Sequence, residues 1–362
     1  MLNKISFRKK IALNLYSRYK KNITRQHDLR YLFWECTLRC NLNCRHCGSD
    51  CKKEANAKDM QVKDFIGVID QIKSNLNPNK TIVVVTGGEP LMRKDLEDCG
   101  KQLYERGFPW GMVTNGYMLD EARLTSLIKS GLRSVTISLD GFEDSHNWLR
   151  GKSDSFQKAK NAVLLVSSVN ELAFDIVTCV SSKNINELQD LKRMLIGLGV
   201  KQWRLFTVFP IGRAKEDSEL QLMPDQFKIL LDFIKHTRKE NLIKASYGCE
   251  GFLANYEGEV RDSFFFCRAG INVGSVLVDG SISACPNLRS NFIQGNIYKD
   301  NFWDVWENKF QLMRDRSWTK KDECANCSYY KYCLGNGIHL YEGEDNKLIF
   351  CHYQKLRLAN KN

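Results

Sequence analysis

Tyr31-Leu32-Phe33-Trp34-Glu35-Cys36-Thr37, followed two residues later by Cys40-Asn41-Leu42-Asn43-Cys44-Arg45-His46-Cys47, decides the reading of this chain. An apolar, strand-like run empties into a loop holding three cysteines at C-x3-C-x2-C spacing. Downstream, further apolar runs end the same way. The runs are Thr81–Gly87, Trp110–Thr114, Ser134–Leu139, Phe174–Val180 and Trp203–Phe209. Helical patterns separate them near residues 60–75, 95–106, 120–130, 154–169 and 186–198, and another follows at 224–240. Short apolar runs bounded by turn residues are expected of strands covered on both faces. Alternation with helices predicts an α/β fold with a parallel sheet. Six βα units fall short of a closed eight-strand barrel, so a partial, TIM-like (β/α)6 barrel is expected. Its chemistry belongs at the C-terminal strand ends. Those ends carry the cysteine loop, Thr86-Gly87-Gly88-Glu89-Pro90, Thr114-Asn115-Gly116 and Asp140-Gly141.

Fourteen cysteines in 362 residues is a high count for a chain with 43% hydrophobic and 27% charged residues. A chain of this length buries a large core without disulfide staples. No run approaches the length of a membrane span, and Ile11-Ala12-Leu13 is too short for a signal-peptide core. A cytoplasmic location is therefore expected, where clustered thiols serve metal or redox chemistry. The net charge is +12, and Lys4, Arg8, Lys9, Lys10, Arg18, Lys20, Lys21 and Arg25 crowd the N-terminus. Residues 1–29 read as a basic amphipathic helix with Ile5, Ile11, Leu15 and Tyr16 near one face, a solvated cap on the barrel. The organisation that follows is a barrel over 30–215, a helical bridge over 216–248 and a cysteine-rich domain over 249–362.

Spacing alone leaves two metal centres open at Cys40, Cys44 and Cys47. One is a [4Fe–4S] cluster with one iron uncoordinated by protein. The other is zinc with Cys36, Cys51 or His46 as fourth ligand. In context the segment resembles the radical S-adenosylmethionine superfamily, whose hallmark is this cysteine spacing after the first strand of a partial barrel. The resemblance implies that the open iron chelates S-adenosylmethionine and that reductive cleavage releases a 5′-deoxyadenosyl radical. Gly87, Gly88 and Glu89 resemble the segment that holds the methionine amino group. Ser138 and Asp140 resemble ribose-side positions. Arg150 resembles an arginine pairing with the methionine carboxylate, to which a guanidinium fork is well shaped. His46 stands where the family has an aromatic beside the adenine, and Asn115 is placed in the same cavity. Cys36, Cys51, Cys99 and Cys179 read as packing residues.

The C-terminal cysteines resemble the SPASM extension of that superfamily, which carries two auxiliary [4Fe–4S] clusters. The matching positions are Cys267, Gly280, Cys285, Cys324, Cys327, Cys333 and Cys351. By that resemblance Cys324, Cys327, Cys333 and Cys351 complete a distal cluster. Cys249, Cys267 and Cys285 belong to a nearer one, whose remaining cysteine is replaced by Gly337. An open iron, a non-cysteine ligand or no nearer cluster are the alternatives. Pro286 stands where sulfatase-maturing relatives have an aspartate base, which disfavours that activity.

The expected function is a radical S-adenosylmethionine peptide maturase that abstracts hydrogen from a peptide or protein side chain. The product would be an oxidative cross-link, thioether or carbon–carbon, in a ribosomally made peptide. An external electron donor such as flavodoxin or ferredoxin is implied. The segment before Cys36 is too short for the leader-recognition domain many such maturases carry, so a separate recognition protein or direct binding by the basic segment is expected. The alternative is a zinc-containing nucleic-acid-binding protein, suggested by the charge and the C-x2-C pair. The strand-end Gly-Gly-Glu-Pro and the absence of a basic–aromatic recognition motif weigh against nucleic acid.

Overall fold

Ile82-Val83-Val84-Val85-Thr86 is β-branched throughout, which suits a pleated strand, and it forms β2 at the heart of a ten-stranded sheet. The computed structural model describes residues 5–359 except 56, 209, 216 and 249. Phe209, at the end of the sixth expected strand, and Cys249 thus lie outside the described residues.

The chain opens with α1 (Phe7–Gln26) and β1 (Tyr31–Glu35). Then come α2 (Val62–Lys73), β2 (Ile82–Thr86), α3 (Leu96–Glu105), β3 (Trp110–Thr114) and α4 (Glu121–Lys129). β4 (Leu132–Ser138), α5 (Glu143–Arg150), α6 (Ser155–Ser167), β5 (Ala173–Val180), α7 (Leu188–Gly197) and β6 (Gln202–Thr207) continue the alternation. α8 (Pro224–Glu240) leads to β7 (Lys244–Tyr247). Strands β1 to β7 lie side by side in chain order, all parallel. This is the α/β partial barrel expected. Alternate strand residues face the helices: Trp34 stacks on Phe65 of α2 at 4.4 Å, and Trp203 meets Phe233 of α8 edge-on at 5.7 Å.

Three differences from the sequence reading have physical causes. First, the parallel array has a seventh consecutive strand. β7 is only Lys-Ala-Ser-Tyr, too short and polar to register as an apolar run, yet Ala245 and Tyr247 are buried. Second, the C-terminal region joins the same sheet. β8 (Val273–Val276) pairs parallel with β1, and β9 (Ser281–Ser283) and β10 (Gly295–Asn296) add antiparallel strands beyond it. Third, α5 was missed because Glu-Asp-Ser-His-Asn-Trp-Leu-Arg lacks an apolar stripe. Its signals are Glu143 and Asp144 in the first turn, Arg150 in the last, and Gly151, left-handed at φ 69°, a usual helix C-terminus.

The rest of the chain is α9 (Phe302–Asn308), α10 (Gln311–Arg314), α11 (Tyr330–Cys333), the hairpin β11 (Tyr341–Glu342) and β12 (Lys347–Leu348), and α12 (His352–Ala359). Helix α1 does not cap the barrel. Leu13 and Ile5 bury against Phe252, Phe265 and Tyr332 of the C-terminal region, while Ile11 and Leu15 are exposed. Of the expected face, Ile5 and Tyr16 do turn inward, Tyr16 meeting Phe264 edge-on at 5.3 Å. No helix among the described residues is long and apolar enough to cross a membrane.

Candidate functional site

Past β1, the backbone of Thr37–Arg39 is gripped by the end of β2. The Gly88 and Glu89 amides donate to the Thr37 and Arg39 carbonyls at 2.8 and 2.9 Å. A Cβ on Gly87 would stand 2.2 Å from the Thr37 carbonyl oxygen, and one on Gly88 2.2 Å from that of Arg39. Both glycines therefore allow two backbones to touch, which no other residue permits. Asp59 fixes the same turn, accepting from Thr37 Oγ1 at 2.5 Å and pairing with Arg39. On its far side the cysteine loop is strapped by Gly212-Arg213. The Arg213 amide donates to the Cys47 carbonyl, and its guanidinium donates to the Cys44 and Cys51 carbonyls at 2.8 and 3.1 Å.

The loop and strand ends enclose a cavity of about 180 Å³. Cys40, Cys44, Cys47 and Cys51 wall it on one side, and Gly87, Gly88, Asn115, Ser138, Arg150 and His46 complete it. Burial pushes the Cys40 thiol up to about 12. Burial also raises Cys44, against the pull of Arg150, whose Nη1 lies 3.7 Å from its sulfur. Among the described residues no three such donors converge on one point, as a lone ion would require. Four thiols border the one cavity, a donor set that suits a multi-iron centre held by cysteines. Cys51, read as a packing residue, borders this cavity, and its amide donates to Cys47 Sγ at 3.3 Å.

The other predicted positions separate into two groups. His46, Asn115, Ser138, Arg150 and the two glycines line the cavity. His46 Nδ1 is shut off from solvent without a hydrogen-bond partner, an orphaned group facing ligand space. Asn115 donates to Asn41 Oδ1 at 2.8 Å and approaches Cys40 Sγ at 3.9 Å. Glu89 and Asp140 do not line it. Glu89 Oε1 accepts from Thr114 Oγ1 at 2.7 Å and the Leu91 amide at 3.1 Å, and Oε2 accepts from the Asn115 amide at 2.8 Å. The carboxylate expected to meet an ammonium thus braces the ends of β2 and β3 instead. Asp140, fully buried, accepts from Arg150 Nε at 2.6 Å and the Cys179 amide at 2.8 Å. Burial opposes its charge, but the Arg150 guanidinium leads the influences that offset this and hold its carboxyl below the usual range. It orients Arg150 rather than facing the cavity. Arg213 escaped the sequence reading, although Ile211-Gly212-Arg213 follows strand six on the rim where chemistry was expected.

A second thiol-lined cavity, about 230 Å³, lies in the C-terminal region. Cys324, Cys327, Cys333 and Cys351 all border it, the full distal set. The Asn336 amide donates to Cys333 Sγ at 3.1 Å. Cys36 and Cys99 are packed in the core as expected, and Cys179 is half-buried. Cys267 and Cys285 are half-buried and border neither thiol-lined cavity. At Gly337 a Cβ would meet the His339 ring at 2.5 Å, so an imidazole fills the space before the missing cysteine. Beside it lies an unforeseen network: Glu250 Oε2 accepts from Thr207 Oγ1 at 2.6 Å and sits 3.2 Å from His352 Nε2, next to Cys351.

Fold and site together define a parallel-barrel enzyme built around a three-cysteine loop. Two family models match: the Radical SAM superfamily over residues 34–195 and the SPASM iron–sulfur cluster-binding domain over 267–328. The chain carries a radical S-adenosylmethionine domain and, downstream of it, a SPASM domain. These domains imply [4Fe–4S] clusters and bound S-adenosylmethionine. It is 26% identical to the AdoMet-dependent heme synthase of Methanosarcina barkeri, covering 86% of this chain and 92% of that one. It is also 26% identical to the mycofactocin maturase MftC of Mycolicibacterium smegmatis, over 84% and 76%. Streptococcus suis SuiB bound to precursor peptide SuiA shares the fold at TM-score 0.70 and 18% identity, covering 93% of this chain and 79% of that one.

Proposed function

We propose that this enzyme cleaves S-adenosylmethionine at the Cys40–Cys44–Cys47 centre and oxidatively modifies a side chain of a ribosomally made peptide. The cofactor, when bound, supplies a 5′-deoxyadenosyl radical that takes a hydrogen atom. The protein supplies position and a dry chamber. Gly87 and Gly88 would present backbone to the methionine end, and Arg150, steadied by Asp140, would meet its carboxylate. Ser138 would serve the ribose side, His46 would lie beside the adenine, and Asn115 would line the same cavity. Glu89 braces the loops around the methionine end.

The observation that carries the substrate class is a second chamber adjoining the first. Gly48, Ser49 and Asn287 wall both cavities. The outer one is lined further by Ile211, Leu288, Arg289, Phe292, His339 and Tyr341, and its volume is about 210 Å³. Pockets for drug-sized ligands run from roughly 300 to 1,000 Å³. A chamber below that range suits one or two side chains of a peptide lying across the rim. A thioether or carbon–carbon cross-link fits this arrangement, with distal and nearer clusters, the latter on Cys249, Cys267 and Cys285, accepting the surplus electron. A cytoplasmic setting, a flavodoxin or ferredoxin donor and a separate leader-recognition protein belong to the same proposal, as does the division at residues 30–215 and 249–362.

A second reading, chemistry on a carboxylated tetrapyrrole, is favoured by the named activity of the heme-synthase relative. The test sets the two side by side. Reconstituted enzyme is incubated without oxygen with short peptides encoded beside the gene, or with a carboxylated tetrapyrrole. The peptide reading requires substrate-dependent deoxyadenosine formation and a peptide that loses two hydrogens. Deoxyadenosine stimulated by the tetrapyrrole, with its conversion to a new product, would replace it with the second reading.

A further inference from the structure

A cationic groove of about 590 Å³ runs between α1 and the segments of α10 and α11. Lys20, Lys21, Arg25, Arg314, Arg316 and Lys331 wall it, against the carboxylates of Glu307 and Asp315. Among the described residues none of these six cations forms an ion pair, whereas Glu307 is engaged by His27 at 3.2 Å. Lys21, Arg25 and Lys331 are exposed. Arg316 is 8% exposed, and its Nε is buried without an acceptor. Six cations against two carboxylates leave four positive charges in excess, a surface that attracts an anionic partner.

The position of the groove specifies the partner. Tyr330 lines both it and the cavity of Cys324, Cys327, Cys333 and Cys351. Arg316 Nη2 donates to the Asn336 carbonyl at 2.9 Å, and the Asn336 amide donates to Cys333 Sγ. Lys20 Nζ donates to the carbonyl of Tyr332, the neighbour of Cys333. One layer of side chains thus divides the basic groove from the distal cysteines.

We propose that this groove docks an acidic one-electron carrier protein, flavin or iron–sulfur, which exchanges electrons with the distal centre. The inference rests on reading those four cysteines as a cluster. The step moves one electron and breaks no bond: the distal centre is oxidised by one electron and the oxidised carrier is reduced by one.

Oxidised flavodoxin is titrated into the cluster-loaded enzyme by anaerobic calorimetry, at low salt and at about 0.5 M, where the Debye length falls well below 10 Å. The wild type should bind in a salt-sensitive manner. Lys21→Glu/Arg25→Glu/Lys331→Glu should weaken binding by about tenfold or more, with the neutral Gln triple in between. All three positions are exposed, so far-UV circular dichroism and dithionite-driven deoxyadenosine formation should stay unchanged. Equal flavodoxin affinity in the charge-reversed protein, or binding by the wild type that ignores salt, overturns the proposal. So does loss of poly-glutamate binding alone, which would make the groove a site for acidic peptide. The dithionite assay reports separately on the radical chemistry, so failure of that reading is distinguishable from failure of the docking surface.

Discussion

Glu89 shows how a motif residue works at one remove from the ligand. Its carboxylate gathers one hydroxyl and two amides from two strand ends, in a site with no exposure. Glu89→Gln turns one acceptor oxygen into a donor facing donors already in place. Leaving such buried groups unsatisfied costs about 1–3 kcal/mol each. The variant should therefore lose cluster occupancy, measured as iron and sulfide per chain, and melt several degrees lower; unchanged iron and melting temperature would contradict the bracing role. The positions of the site were legible because strand-end order is a property of sequence. Their duties were less so. Glu89 and Asp140 match a ligand-binding pattern, yet the fold spends them on Asn115, Thr114 and Arg150. Which way a carboxylate points is settled by donors brought from distant residues. For the same reason the duties of Arg213 and of the Glu250–His352 pair could not be read from the sequence: their partners lie on other elements.

Among elements, the strongly apolar strands and amphipathic helices of the barrel were readable to within a residue or two. Weak elements were not. β7, β8 and α5 depend on neighbours for their burial, so composition does not announce them. Helix α1 is instructive because its basic character was plain and its contacts were not. Leu13, not Ile11 or Leu15, is the anchor, packed with Phe252, Phe265 and Tyr332. Leu13→Ala should remove about 2–5 kcal/mol, as for other buried leucines. Scanning calorimetry checks this, and Leu15→Ala, at an exposed position, should leave the transition unmoved. If α1 were only a solvated appendage, both changes would be silent.

For the whole molecule, buried imidazoles set the response to acid. Burial is the largest influence holding both His146 and His339 down to about 4, from an ordinary 6.5. His146 Nδ1 accepts from the Asp140 amide at 3.0 Å, which fixes its neutral form. The unfolded chain takes up these protons first, so stability falls as pH drops from about 6.5 towards 4 and levels below that. Each imidazole contributes up to roughly 1.4 kcal/mol per pH unit in this window. Thermal melts of the cluster-free protein across that range check the sign, and a transition that rises on acidification would contradict it. The central claim, that the three-cysteine cavity cleaves S-adenosylmethionine, is tested most directly by one measurement. Protein reconstituted with iron and sulfide without oxygen is reduced with dithionite, given S-adenosylmethionine and assayed for 5′-deoxyadenosine. The account predicts product from the wild type and none from Cys40→Ala/Cys44→Ala/Cys47→Ala. A wild type that makes none, or a triple variant that still makes it, would contradict the assignment.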